Sequence, residues 1–130
     1  MSRTAVETLP AALYRDPAHY YAERRRIFAR TWQLLAHESQ LSQPGAWFAQ
    51  AVAGYPLILV RGEDERIRAF HNVCRHRAGP LASDGAGKCE GALVCRYHGW
   101  RYALDGRLAS ARDFGPAEEF DPRAYGLFQI

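Results

Sequence analysis

The spacing of apolar and polar residues predicts a helix near the start of the chain, after an extended segment over residues 1–15. Asp16 and Pro17 form a helix start, because aspartate can cap the first turn and proline fits within it. The helix is predicted to run from residue 17 to about residue 30. One apolar stripe on this helix would consist of Tyr20, Ile27 and Phe28. The arginines at 24–26 are interpreted as a solvated face.

From Trp32 onward, the spacing shortens to the alternation that is typical of β-strands. Strands are predicted over residues 32–37, 46–52, 55–61, 66–72, 92–95, 100–104, 107–110 and 125–130. Polar turns separate them, and Asp105-Gly106 is predicted to be a hairpin turn. Short strands with polar turns favour antiparallel sheets or a small barrel. The predicted fold class is mostly β with one N-terminal α-helix, divided into an N-terminal extension (1–31) and a β domain (32–130).

Two short pairs of cysteine and histidine stand out against this β pattern. Cys74 and His76 are spaced Cys-x-His, whereas Cys95 and His98 are spaced Cys-x-x-His, and 18 residues lie between His76 and Cys95. Each pair falls close to a predicted strand, in a loop where a rigid scaffold commonly displays chemistry. Two such loops brought together would offer two sulfur and two nitrogen ligands to a metal centre.

This set of ligands suits two kinds of metal centre. Zinc takes tetrahedral sulfur and nitrogen ligands, but zinc fingers usually place both cysteines in one pair and both histidines in the other. Here each pair contains one cysteine and one histidine. The mixed pairs favour a Rieske [2Fe–2S] centre, in which two cysteines bind one iron and two histidines bind the other. A structural zinc module is the weaker alternative, and it would be colourless.

The residues around the pairs resemble the Rieske domain of ring-hydroxylating-type non-haem iron oxygenases, in their large (alpha) subunits. The resemblance is carried by Cys74-x-His76-Arg77 and by Cys95-x-Tyr97-His98-Gly99-Trp100. It implies that residues 32–130 form a Rieske fold of antiparallel sheets with two cluster-binding loops. It also implies that four residues hold the cluster as metal ligands: Cys74, His76, Cys95 and His98.

Respiratory-chain Rieske proteins differ at two points. Each of their two loops has an additional cysteine, and these two cysteines form a disulfide. A serine after the second His-Gly donates a hydrogen bond to a cluster sulfide. This chain has no such cysteine, and Trp100 stands at the serine position. Rieske potentials span about −150 to +300 mV. With fewer hydrogen-bond donors to its sulfides, the reduced cluster would be less stabilised. We therefore expect a midpoint potential near the low end, about −150 mV and below zero.

The resemblance also implies a role in electron transfer. A flavin/iron–sulfur reductase or a ferredoxin would be the electron donor, and a mononuclear iron in the oxygenase catalytic domain would be the acceptor. That domain follows the Rieske domain in full-length relatives, which hydroxylate or demethylate organic substrates as mono- or dioxygenases. The histidines outside the two pairs are scattered: His19, His37 and His71. Mononuclear iron is therefore expected only in a full-length relative, and these 130 residues are not expected to be catalytic alone.

A free-standing Rieske ferredoxin, which is a soluble electron carrier, is the alternative. The size of the chain suits either function. Such carriers usually lack a long N-terminal helical segment, and they favour a Pro-Leu or similar pair before the second histidine, where this chain has Arg96-Tyr97. The reading frame after Ile130 would discriminate between the two. The branch of oxygenases that the motifs most resemble acts on small quaternary amines or aromatic acids.

Composition narrows the cellular context. The chain has 130 residues, of which 48% are hydrophobic, so it can form one domain with its own core. We expect a cytoplasmic protein without a membrane partner, since no apolar run is long enough to cross a bilayer and no apolar signal core follows the N-terminus. Cys89 is the third cysteine, and we expect it to be neither a ligand nor half of a disulfide.

The net charge of +3 is small and spread along the chain, so it does not indicate a nucleic-acid partner. Four arginines bracket the candidate ligands: Arg75, Arg77, Arg96 and Arg101. They could form a docking face for an acidic redox partner, or they could make internal salt bridges that support the loops. Arg77 favours the structural interpretation, because it belongs to the motif that carries the resemblance.

Overall fold

The computed structural model describes residues 8–112 and 120–130. The chain separates into two compact units, which meet in sequence between Gln33 and Leu34. The first unit contains a 3₁₀ turn, a helix α1 and a second 3₁₀ turn: Ala11–Tyr14, Pro17–Arg26 and Phe28–Arg30. Among the residues that the structure describes, no helix is long and apolar enough to span a membrane.

The predicted start of α1 is confirmed at Asp16. Its Oδ1 atom accepts a hydrogen bond from the backbone N–H of Ala18 at 2.9 Å, and Pro17 occupies the first helical position. The helix ends at Arg26, earlier than predicted, because the chain tightens into 3₁₀ geometry after Ile27. The prediction of an extended segment before residue 16 is wrong for Ala11–Tyr14, where residues with high helix propensity form a 3₁₀ turn.

The apolar stripe predicted for this helix does not produce a core within the first unit. No residue of α1 is buried, and about half of the Tyr20 and Ile27 side chains is exposed, at 46% and 49%. A unit of this size has too little chain to enclose its apolar residues. The aromatic and aliphatic groups of α1 therefore remain in contact with solvent.

Two antiparallel sheets form the second unit. The larger sheet has the strand order β3-β2-β1-β4 and consists of Ala46–Val52 (β1), Tyr55–Arg61 (β2), Ile67–His71 (β3) and Gly85–Lys88 (β4). The smaller sheet has the order β5-β6-β7 and consists of Ala92–Val94 (β5), Arg101–Ala103 (β6) and Leu108–Ser110 (β7). The prediction of a mostly β fold with antiparallel sheets and one N-terminal α-helix is confirmed.

Alternation of apolar residues located most of these strands, but it missed one and added another. β4 was missed because Gly85-Ala86-Gly87-Lys88 has low strand propensity and forms only by pairing its backbone with β1. The strand predicted over residues 32–37 is wrong. Trp32 and Leu34 are fully exposed there, and no neighbouring strand pairs with the segment among the described residues. Apolar spacing alone cannot make a strand without a partner for its backbone.

The core of the second unit lies between its two sheets and beneath the two Cys/His loops. β2 contributes Ile58 and Val60, and β3 contributes Phe70, all at most 1% exposed. The smaller sheet and the loops add Leu93, Tyr102, Leu104, Trp100, Cys74 and Cys95 to the same cluster. Because both candidate sulfur ligands belong to the core, packing of the sheets also determines where the loops lie.

The last residues of the chain pair with β3, although less extensively than the predicted strand over 125–130. His71 donates its N–H to the carbonyl of Phe128, Ile130 donates to Ala69, and Gln129 forms a single bridge with Phe70. Residues 122–125 instead form a 3₁₀ turn, which follows the cap at Asp121. The predicted hairpin turn at Asp105-Gly106 is confirmed, and it joins β6 to β7.

Gly106 offers a test of this packing. Its φ is +89°, and a Cβ atom there would lie 2.5 Å from Cε1 of the buried Phe70. We expect Gly106→Ala to lower the free energy of unfolding by about 2–5 kcal/mol, from left-handed strain plus overpacking. Gly91→Ala is the control. Gly91 has φ +67°, but a Cβ atom there would have no atom within 4 Å apart from its chain neighbours, so the change should cost only about 1–2 kcal/mol. Chemical denaturation of both variants measures the difference, and equal losses would contradict the Phe70 clash.

Candidate metal centre

The two Cys/His loops close in the same way. In the first loop (74–79), the N–H of Cys74 donates to the carbonyl of Gly79 at 2.8 Å, and Ala78 donates back to Cys74 at 3.0 Å. In the second loop (95–100), Cys95 donates to Trp100 and Gly99 donates back to Cys95, both at 2.9 Å. Ala78 and Gly99 are the equivalent positions, and both have a left-handed backbone, with φ +55° and +72°. The sequence therefore builds one kind of turn twice.

These turns bring the four candidate ligands together as two chemically uniform pairs. The thiols of Cys74 and Cys95 are both buried, and they belong to the same core cluster. The rings of His76 and His98 meet edge to face, with centroids 4.6 Å apart. Among the residues described, no three His, Cys, Asp or Glu side chains converge on one metal-ion position. The donors are thus arranged as a sulfur pair and a nitrogen pair.

The electrostatic surroundings of these groups follow from burial. Burial raises the pKa of the Cys95 thiol, and the neighbouring Cys74 acts in the same direction. Backbone N–H groups of Tyr97 and His98 oppose this effect by hydrogen bonding to the Cys95 sulfur. Burial also lowers the pKa of His76, and His98 and Arg77 contribute to the lowering. A neutral imidazole is the form that can donate a lone pair to a metal.

Tyr102 supplies a hydroxyl group to the sulfur pair. Its hydroxyl oxygen lies 3.2 Å from Cys74 Sγ and accepts a hydrogen bond from the backbone N–H of Arg75 at 3.0 Å. Burial raises the pKa of Tyr102, and Cys74 raises it further, so the hydroxyl keeps its proton and can donate to the sulfur. Tyr102 was not among the predicted site residues, because a hydroxyl donor was expected only at the position of Trp100. The signal was alternation, since Tyr102 is the next inward residue after Trp100.

The buried Asn72 holds the end of the first loop from below. Its Oδ1 atom accepts hydrogen bonds from the N–H groups of Leu81 and Ala82 at 2.9 and 3.1 Å, and its Nδ2 donates to the Ala82 carbonyl at 2.8 Å. These bonds satisfy backbone groups that no strand pairs. They fix the place where the chain leaves the first loop and so support the positions of Cys74 and His76.

Aromatic rings cover the two histidines differently. His76 stacks on the buried Trp100, with centroids 4.9 Å apart and ring planes 8° apart. His98 stacks on Tyr97 at 3.8 Å, and 62% of Tyr97 is exposed. Both histidines are half-buried, and the nitrogen pair therefore lies between one buried ring and one exposed ring.

The four arginines around the loops also divide into two kinds. Arg75 is half-buried, and its Nη1 donates to the carbonyl of Gly126 at 2.8 Å. The side chains of the others are exposed: Arg77, Arg96 and Arg101. Within residues 8–112 and 120–130, none of the four forms an ion pair, so the described contacts do not include the internal salt bridges considered from the sequence.

The remaining cysteine and histidines make contacts away from the loops. The Cys89 thiol donates to the carbonyl of Gly45 at 3.3 Å, and burial raises its pKa. His37 caps a 3₁₀ turn by accepting a hydrogen bond from the N–H of Ser39, and His19 lies 3.3 Å from Glu23. His71 is half-buried in β3. A loop around Gly115-Pro116 that could fold over the metal centre was considered from the sequence, and it lies outside the described residues.

The donor set and its surroundings fit a [2Fe–2S] group. Two buried sulfurs and two imidazoles come from two loops, which is the ligand set of a Rieske centre. Gly79 allows the loops to approach closely, since a Cβ atom there would lie 3.3 Å from Cys95 Sγ and 3.4 Å from Tyr97 Cβ. Tyr102 and the backbone amides at Tyr97 and His98 provide hydrogen bonds to the sulfurs.

Comparison with known families decides the identity of the fold. Residues 31–121 match the family described as Rieske [2Fe-2S] domain. The chain belongs to this family. Rieske domains of this kind form the N-terminal part, about 30%, of Rieske oxygenase alpha subunits, as the sequence resemblance implied.

Three relatives illustrate the similarity. The chain is 40% identical over 114 residues to the carnitine monooxygenase oxygenase subunit of Acinetobacter baumannii, covering 88% of this chain and 30% of that protein. It is 39% identical over 123 residues to the chloroplastic choline monooxygenase of Spinacia oleracea, covering 95% and 28%. The apo form of a quaternary ammonium Rieske monooxygenase, CntA, superposes with a TM-score of 0.87 at 38% identity, covering 94% and 35%. The chain thus spans about a third of these proteins or less.

Replacement of single candidate ligands tests the assignment. We expect Cys74→Ala, His76→Ala, Cys95→Ala and His98→Ala each to abolish the Rieske absorption and EPR signals, because metal binding is coupled to closure of the loops. Iron and acid-labile sulfide in each purified variant provide the measurement. Cys89→Ser is the matched control and should retain wild-type metal content. A normal two-iron cluster in His98→Ala would remove that residue from the set, and iron loss in Cys89→Ser would add a ligand.

Proposed function

We propose that this chain is a one-electron transfer domain of a Rieske oxygenase alpha subunit. Cys74 and Cys95 would bind one iron of a [2Fe–2S] cluster, and His76 and His98 would bind the other. The observation that carries this proposal is the separation of the four donors into a buried sulfur pair and an edge-to-face nitrogen pair. When bound, such a cluster supplies a one-electron couple.

Different residues would surround the sulfur side and the histidine side of that cluster. The core-forming cysteines exclude water from the sulfur side, and Tyr102 donates a hydrogen bond there. Trp100 shelters His76, whereas Tyr97 places His98 next to solvent. Electron exchange with a docked protein is therefore best supported at the surface around Tyr97 and His98.

An acidic electron donor would suit that surface. Arg77 and Arg96 are exposed on the two loops, and Arg101 follows the second loop on β6. We propose a flavin/iron–sulfur reductase or a ferredoxin as the donor and a mononuclear iron in an oxygenase catalytic domain as the acceptor. The relatives support this pair, since one is named as an oxygenase subunit and inter-subunit electron transfer is described for a quaternary ammonium Rieske monooxygenase.

The relatives also favour one substrate class. Those compared above are named for carnitine, choline and quaternary ammonium compounds. We therefore propose that an oxygenase containing this domain acts on a small quaternary ammonium compound, in the cytoplasm, rather than on an aromatic acid. The 130 residues alone are not expected to hydroxylate a substrate. A free-standing carrier would have the same cluster, and the coding sequence after Ile130 distinguishes it.

The Tyr102 hydroxyl should tune the midpoint potential, which we expect to lie below zero. A hydrogen bond to Cys74 sulfur stabilises the reduced state, which has more negative charge. Tyr102→Phe should therefore lower the midpoint by about 20–65 mV, corresponding to about 0.5–1.5 kcal/mol for one electron. Protein-film voltammetry measures the shift. Tyr97→Phe, which removes an exposed hydroxyl, should shift the midpoint less, and an equal or larger shift would contradict the role of Tyr102.

Charge reversal tests docking of the donor. We expect Arg96→Glu to slow second-order reduction by an acidic ferredoxin about tenfold at low ionic strength, and the difference should shrink as salt screens the charges. Stopped-flow absorbance measures both rates. Arg66→Glu is the control, because Arg66 is 81% exposed in the turn at the opposite end of β3 from the first loop. Equal effects of the two reversals would indicate a net-charge effect and contradict a defined docking surface.

A further inference from the structure

Arg75 differs from the other arginines near the metal centre. It lies between Cys74 and His76, yet its side chain leaves the loop and reaches the C-terminal segment (residues 125–128). Nη1 donates to the Gly126 carbonyl at 2.8 Å, and the guanidinium carbon lies 3.9 Å from the centre of the Phe128 ring. The same carbon lies 6.0 Å from the centre of the Tyr125 ring. One planar group is therefore fixed by a hydrogen bond and by aromatic contact together.

The C-terminal segment is itself anchored to the core. Leu127 is buried, and its N–H donates to the carbonyl of Gly106 at 2.8 Å. The carbonyl of Phe128 accepts the N–H of His71 at 2.9 Å. Both sheets thus hold the segment, through the β6–β7 turn and the end of β3. A side chain bound to it is bound to a fixed point.

Two further contacts connect this anchor to the candidate ligands. The backbone N–H of Arg75 donates to the Tyr102 hydroxyl, which contacts Cys74 Sγ. The ring of Tyr125 packs edge to face on Trp100 at 5.9 Å, and Trp100 stacks on His76. Both candidate ligands of the first loop are therefore linked to the C-terminal segment. Arg75 itself makes the link to Cys74, through the Tyr102 hydroxyl.

We propose that Arg75 is a positioning residue that holds the first loop against the C-terminal segment. It would fix Cys74 and His76 in the arrangement that the metal centre requires, and this role rests on the proposed function of those residues as ligands. The guanidinium is required for its shape as well as its charge. A lysine ammonium keeps the charge, but it cannot lie flat on Phe128 while donating to Gly126.

The test uses Arg75→Lys, Phe128→Ala and the double variant in the 130-residue protein. Phe128 is 56% exposed, so its truncation should leave the fold intact. We expect each single variant to accelerate amide hydrogen exchange at Cys74 and Ala78 about tenfold. Exchange at the equivalent amides of the second loop, Cys95 and Gly99, should not change. The double variant should resemble Arg75→Lys, because the contact that Phe128→Ala removes is already lost in that variant.

Two further measurements separate positioning from a general loss of stability or of charge. The EPR line shape of the reduced protein should change in Arg75→Lys and Phe128→Ala. It should not change in Ile130→Ala, which shortens a residue of similar exposure (62%) two positions after Phe128. Arg66→Lys is the matched arginine control, since Arg66 lies in the turn before β3.

Several outcomes would overturn the proposal. One is a wild-type rate of amide exchange in Arg75→Lys, which would mean that a positive charge alone is enough to hold the first loop. Another is equal acceleration in both loops, which would indicate global destabilisation. Additive effects in the double variant would show that Arg75 and Phe128 act independently. Failure of the proposed function would be seen separately, as wild-type protein without iron and sulfide. The exchange comparison on that protein would still decide whether Arg75 holds the loop.

Discussion

Closure of the two loops by matching backbone hydrogen bonds is the constraint on which the metal centre depends. Each loop returns on itself within six residues, and this brings its cysteine to the core end of the turn and its histidine to the outer part. The left-handed backbone at Ala78 and Gly99 makes the return possible. Alanine adopts that conformation at a cost of about 1–2 kcal/mol, so the surrounding contacts must hold the first loop in place.

Those contacts come from three places in the second unit. Asn72 binds the end of the first loop, Tyr102 reaches it from β6, and the C-terminal segment contacts it through Arg75. The second loop depends more on its own turn and on burial of Trp100. The β-sheets therefore serve as a rigid frame on which two short turns are held at a close, fixed distance. The first turn is the one that requires more external support.

The sequence was informative where local chemistry determines structure. Asp16-Pro17 predicted the helix start, alternation predicted β1 and β2 with their observed bounds, and the Cys/His spacing identified the two loops. It failed where tertiary pairing decides. β4 was not predicted, because its glycines have low strand propensity. The segment over residues 32–37 was predicted to be a strand, but no strand pairs with it among the described residues. Tyr102 and Arg75 were not assigned their contacts, because these join positions 27 to 51 residues apart in the chain.

The unequal cover over the two histidines gives the domain a polarity. The loops share a backbone turn, but the histidine follows the cysteine by two residues in one and by three in the other. That single-residue offset leaves His76 against the indole of Trp100 and His98 beneath the exposed phenol of Tyr97. A protein that docked over the exposed Tyr97 would therefore also limit the access of small oxidants to the ring of His98.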